Sequence, residues 1–83
     1  MKVGYSRQAA KALLKCNKRV LVREKIDAFA ASPDLLHANV TKLQGREEFR
    51  LRVQDWRVIF KVSDGEMVIL DIAPRGSVYE VKK

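Results

Sequence analysis

The sequence predicts an α+β fold, with two helices packed on one face of a small, mostly antiparallel sheet. Three observations predict it. Apolar residues recur at helical spacing between Ala9 and Ala30, the period changes to two from Glu47 onward, and a short strand-like run precedes both. A chain of 83 residues has room for one hydrophobic core, so residues 1–83 are expected to form a single domain. The formal charge is +7, yet 47% of residues are apolar with only 2 Pro and 4 Gly, which argues against a disordered basic tail.

Lys2 to Tyr5 reads as the first strand. Ser6 is a suitable N-cap for a helix running to about Cys16, with Ala9, Ala10, Leu13 and Leu14 as its apolar stripe. Asn17 breaks that pattern. A second helix is expected from about Lys18 to Ala31, because Val22, Ile26, Phe29 and Ala30 share one face, and Ser32-Pro33 ends it. Pro33 to Gly45 reads as a linker in which Leu35, Leu36, Val40 and Leu43 are packing points and His37 is a surface or packing residue. A three-stranded antiparallel meander completes the chain. In its first hairpin a two-residue loop at Gln54-Asp55 pairs Val53 with Trp56, Leu51 with Val58 and Phe49 with Phe60. For the second, a three-residue loop at Ser63-Asp64-Gly65 is expected, which pairs Val58 with Leu70 and sets Asp71 opposite Arg57.

The longest apolar runs, such as Met67 to Leu70, fall far short of the ~18 residues of a membrane span, and no secretory signal pattern opens the chain. A cytoplasmic location and no membrane partner are expected. Cys16 and His37 each stand alone as residue types, so neither an internal disulfide nor a Cys/His metal cluster is predicted, and no metal or cofactor is expected.

Charge is unevenly placed. Residues 1–44 carry nine Lys/Arg against three Asp/Glu, whereas residues 45–83 carry eight against seven. Lys11, Lys15, Lys18, Arg19, Arg23 and Lys25 lie outside the apolar stripe of the helical hairpin and form a candidate RNA-binding surface. A solvated helix face is the plainer alternative. In the strands, alternation collects Arg50, Arg52 and Arg57 on the polar face, with Arg75 sharing the parity of Asp71. Like charges at such spacing repel, and an anion would reverse the penalty; planar guanidinium forks suit phosphate oxygens. The alternative is a solvated face whose arginines pair with Glu48, Asp55, Glu66 and Asp71. Tyr79 could stack on an unpaired base or pack the C-terminal segment.

The runs Lys42-Leu43-Gln44-Gly45, Phe49 to Phe60 and Ala73-Pro74-Arg75-Gly76-Ser77-Val78-Tyr79 resemble the RelE/ParE superfamily of bacterial toxins. The resemblance implies the toxin of a toxin–antitoxin pair. RelE-type members enter the ribosomal A site and cut mRNA without metal, by attack of a ribose 2′-hydroxyl on the adjacent phosphate. By position, Arg50 and Arg52 match basic residues of the active strand, Arg57 the arginine at the transition state, Arg75 the basic residue near the leaving group, and Tyr79 the base-stacking tyrosine. The best-studied pattern carries lysines where this chain has Arg50 and Arg52. Arginine is a poor general base, so Glu48 on the same face is the candidate for that role; its alternative is a cross-strand pair with Lys61. The partners so implied are a cognate antitoxin and the ribosome with its mRNA and rRNA. Two other functions fit the same residues: a ParE-like inhibitor of DNA gyrase, and a non-catalytic RNA-binding module.

Overall fold

The structure, a computed structural model, describes residues 1–34 and 39–74. Its elements are β1 (Lys2–Tyr5), α1 (Arg7–Lys15), α2 (Arg19–Ala31), β2 (Val40–Lys42), β3 (Phe49–Val53), β4 (Trp56–Ser63) and β5 (Glu66–Pro74). They form one five-stranded sheet in the order β1-β5-β4-β3-β2. β1 runs parallel to β5 and every other pairing is antiparallel. The α+β class and the bounds of the first strand and both helices follow the expectation closely.

Strand β2 is the element that the sequence did not reveal. Its three residues pair with Phe49 to Leu51 in the middle of what reads as a linker. Three residues are too few to show a period of two.

Alternation along β3 and β4 sends Leu51, Val53, Val58 and Phe60 to the helix side, where they meet Val22, Ile26, Phe29 and Ala30 of α2. Phe60 is the centre of this core. Its ring stacks on Phe49 with centroids 5.5 Å apart and tilts against Phe29 at 5.3 Å. The buried stripe of α1 differs from the expected one: Ala9 and Cys16 are buried and Ala12 and Leu13 partly so, while Ala10 and Leu14 point outward. The helix packs against β5, and Ala9, Ala12 and Leu13, followed by the C-cap Cys16, share the face that meets the core at 3.6 residues per turn.

The first hairpin has the expected register, with Val53 opposite Trp56, Arg52 opposite Arg57, Leu51 opposite Val58 and Phe49 opposite Phe60. The second corrects the expectation. Its loop is the two-residue Asp64-Gly65, with φ of +53° and +75°, and Ser63 pairs with Glu66. Positive φ at both central residues matches the twist of the flanking strands, which favours two-residue loops. Carried through unbroken, that register would set Asp71 opposite Val58 in the core. A β-bulge prevents it: Phe60 pairs with Ile69, Ile59 with Asp71, and Leu70 is the extra residue. Ile72 is thereby returned to the apolar face, opposite Val58. Asp71 stands opposite Ile59, not Arg57, and its Oδ1 accepts the Ile72 N–H at 2.9 Å.

Ser6 joins the bulge to α1. Its Oγ accepts the Ala9 N–H and donates to the Leu70 carbonyl, both at 3.0 Å, and its own N–H donates to the Ile69 carbonyl at 2.9 Å. One side chain therefore caps a helix and holds the irregular stretch of a strand. Ser6→Ala removes both hydroxyl bonds and is expected to lower unfolding free energy by about 1–2 kcal/mol in urea titrations, with Ser6→Thr closer to wild type.

Candidate functional site

Strand parity gathers Arg50, Arg52 and Arg57 on the sheet face opposite the helices. Arg57 lies on β4, the middle strand, and is only 9% exposed, whereas Arg50 is half-buried and Arg52 exposed on β3. Arg52 sits directly across from Arg57. Such a pair repels by some tenths of a kcal/mol, and burying a guanidinium adds a desolvation cost. Arg57 Nη1 donates to the Trp56 carbonyl at 3.5 Å, and Ile59, also buried on this face, lies beside it along β4. The face is a partly dry surface around one deeply set cation, where an anion would interact more strongly than in open water.

Glu48 precedes β3 and is engaged locally. The Arg46 Nε donates to its Oε1 at 3.0 Å, in place of the expected cross-strand pair with Lys61. That hydrogen bond is the main reason the Glu48 carboxyl lies below the ordinary range; Lys61 adds a smaller attraction. The turn that supports it is closed by Leu43 N–H to Glu48 carbonyl at 3.0 Å and Arg46 N–H to Leu43 carbonyl at 3.2 Å.

Lys11, Lys15, Lys18, Arg19, Arg23 and Lys25 are all exposed, as their exclusion from the apolar stripes implies. Two of them stand where a helix tolerates cations least. Lys18 is the N-cap of α2 without a side-chain capping bond and Arg19 is its first residue, at the positive end of the helix dipole. Arg75 and Tyr79, like His37, Leu35 and Leu36, lie outside the described residues. No three His, Cys, Asp or Glu side chains form a metal-holding group among the described residues, and no helix there is long and apolar enough to cross a membrane.

A groove that sequence reasoning missed opens beside Arg52. It measures about 320 Å³ and is lined by both Lys25 of α2 and Arg52 of β3. Two residues 27 positions apart on different elements give no local pattern that could have announced it.

The family model of the ParE toxin of type II toxin–antitoxin systems, parDE, matches residues 3–79. The chain belongs to the RelE/ParE superfamily of toxins. RelE in the archaeal RelE–RelB complex from Pyrococcus horikoshii OT3 is 31% identical, with 92% of this chain and 96% of that one covered at a TM-score of 0.74. The toxin of the E. coli RelBE complex shares the fold at 19% identity and a TM-score of 0.72, over 88% of this chain and 94% of that one. The YoeB/ParE toxin from Agrobacterium tumefaciens does so at 13% and 0.74, over 90% and 99%. No curated protein matches the chain in sequence. In this superfamily toxin Arg50 and Arg52 lie on β3 and Arg57 on β4.

Two outcomes are expected. Lys18→Asp supplies a capping acceptor and removes a cation from the helix N-terminus, and should stabilise the fold by about 1 kcal/mol in urea titrations. For Glu48, a pKa below the unfolded value means stabilisation that is present above the ordinary carboxylate value of 4.5 and is lost as pH falls through the lower folded value. Arg46→Ala should therefore raise the Glu48 carboxyl pKa in an NMR titration and flatten the acid limb of stability below pH 4.5.

Proposed function

We propose that this toxin is a ribosome-dependent mRNA endonuclease that cuts in the A site by metal-independent attack of a ribose 2′-hydroxyl on the adjacent phosphate. The observation that carries the proposal is Arg57, buried on the central strand with Arg50 and Arg52 on the same face. A phosphate brought to this face converts the repulsion between Arg52 and Arg57 into shared attraction. The deeply set guanidinium then meets the extra negative charge of the transition state in a medium that screens it little.

The roles follow by resemblance. Arg50 and Arg52 clamp the substrate phosphates, Arg57 stabilises the transition state, Arg75 lies near the leaving group and Tyr79 stacks a base. Glu48 is the candidate base. It is ionised at neutral pH and able to accept a proton, although the Arg46 bond that lowers its pKa also lowers its driving force. Lys11, Lys15, Lys18, Arg19, Arg23 and Lys25 supply salt-sensitive attraction to rRNA phosphates. The cations placed against the α2 dipole support this role, because their position costs stability. The toxin would act in the cytoplasm, restrained by a cognate antitoxin whose C-terminal segment crosses the basic surface; RelE relatives were solved in complex with RelB.

A second function is favoured by one observation, the match to the ParE family model: inhibition of DNA gyrase through protein contacts. Purified toxin incubated with mRNA-programmed ribosomes, and separately with gyrase and plasmid, distinguishes the two. Codon-positioned cuts are expected, reduced about 10²- to 10³-fold by Arg57→Ala, with circular dichroism confirming that the variant is folded. Intact mRNA with stalled gyrase sinks the nuclease in favour of the inhibitor. Phosphate-dependent RNA binding with neither effect leaves a binding module.

A further inference from the structure

Arg52 belongs to two surfaces. By parity it faces the arginine side of the sheet, and it also lines the groove of about 320 Å³ that opens on the helix side. The short β2 strand makes this possible. It pairs with β3 only as far as Val40 opposite Leu51, and the groove opens where that pairing stops. Around this edge a flexible polyanion could pass from the candidate phosphate site to the helix side of the sheet.

The groove has a consistent chemistry. Leu21 on α2 gives it a partly exposed aliphatic wall, with the buried core residues Leu51 and Val53 of β3 beneath. Among the described residues its charged lining side chains are Lys25 and Arg52, and both are cationic. The other polar lining residues among those described, Asn39 and Gln54, are amides, which present a donor and an acceptor together and can pair with the edge of a base. Gln54 stands at φ +54°, in the left-handed region that a long side chain adopts at a cost. The turn thus holds an amide at the rim where glycine would be less strained.

We infer that this groove is a base-recognition pocket for a nucleotide flanking the scissile phosphate. The base lies against Leu21, above the buried Leu51 and Val53, its edge is read by Asn39 and Gln54, and its phosphate bridges Lys25 and Arg52. As a statement of what the site reads, this rests on the RNA-cleaving function proposed above. An acidic protein segment would also satisfy the two cations, but it would leave the paired amides without a planar edge to recognise.

The test is a titration of the full-length protein by methyl and amide NMR with the four ribonucleoside 5′-monophosphates, inorganic phosphate and an oligoglutamate peptide. Nucleotides are expected to shift the Leu21, Leu51 and Val53 methyls with unequal affinities among bases, while inorganic phosphate leaves those methyls in place. Asn39→Ala or Gln54→Gly should change the ratio between the best and worst base by roughly two- to tenfold, the worth of one neutral hydrogen bond. Thermal melts establish that each variant is folded. Equal affinity for all four bases, a ratio unmoved in both variants, or preferential seating of oligoglutamate overturns the pocket. Base-selective binding without mRNA cleavage keeps the pocket and rejects the nuclease; cleavage whose base preference survives both variants does the reverse.

Discussion

The hydrogen bond from Ser6 to the Leu70 carbonyl secures the one irregularity on which the sheet depends. Without the extra residue at Leu70, the tight Asp64-Gly65 turn would carry Asp71 into the core and expel Ile72. With it, the turn keeps the geometry its positive φ angles favour, and the apolar faces of β4 and β5 still coincide. The core packing of Phe60 and Val58 then fixes β4 so that Arg57 must point to the other side. The position of the candidate site is a consequence of how the opposite face is filled.

That arrangement spends stability in several places. Arg52 and Arg57 face each other as like charges, Arg57 is largely withdrawn from water, and α2 begins with cations and no capping side chain. Each has the sign that a polyanion would reverse, and together they link the helical surface and the sheet face as parts of one electrostatic design. Leu14 and Val20 add an apolar element to it, being 73% and 69% exposed on a surface otherwise dominated by lysine and arginine.

Most of the architecture was legible because it is periodic. The helix at Val22 to Ala30 and the strands at Phe49 to Val62 declare themselves by spacing, and a two-residue loop at Gln54-Asp55 is the arrangement that matches their apolar faces. The failures were of another kind. β2 is too short to have a period, and the Leu70 bulge is an insertion that parity counting cannot anticipate, since a three-residue loop also keeps acid out of the core. The outward turn of Leu14 depends on which face of α1 meets β5. For the site, the clustering of the arginines followed directly from alternation. The engagement of Glu48 by Arg46 and the nearness of Lys25 to Arg52 did not, because each depends on how a turn or a helix is placed in three dimensions.

The parallel pairing of β1 with β5 joins the first strand of the sheet to the last, and the Ser6–Leu70 bond spans 64 residues. During synthesis the first strand therefore waits for nearly all the rest. The β3–β4 hairpin can form locally as it emerges, but the closing strand and the Ser6 bond to the bulge must come late. A chain still attached to the ribosome that is making it would hold its arginines on an unfinished scaffold. Topology alone delays the completed face until β5 has emerged.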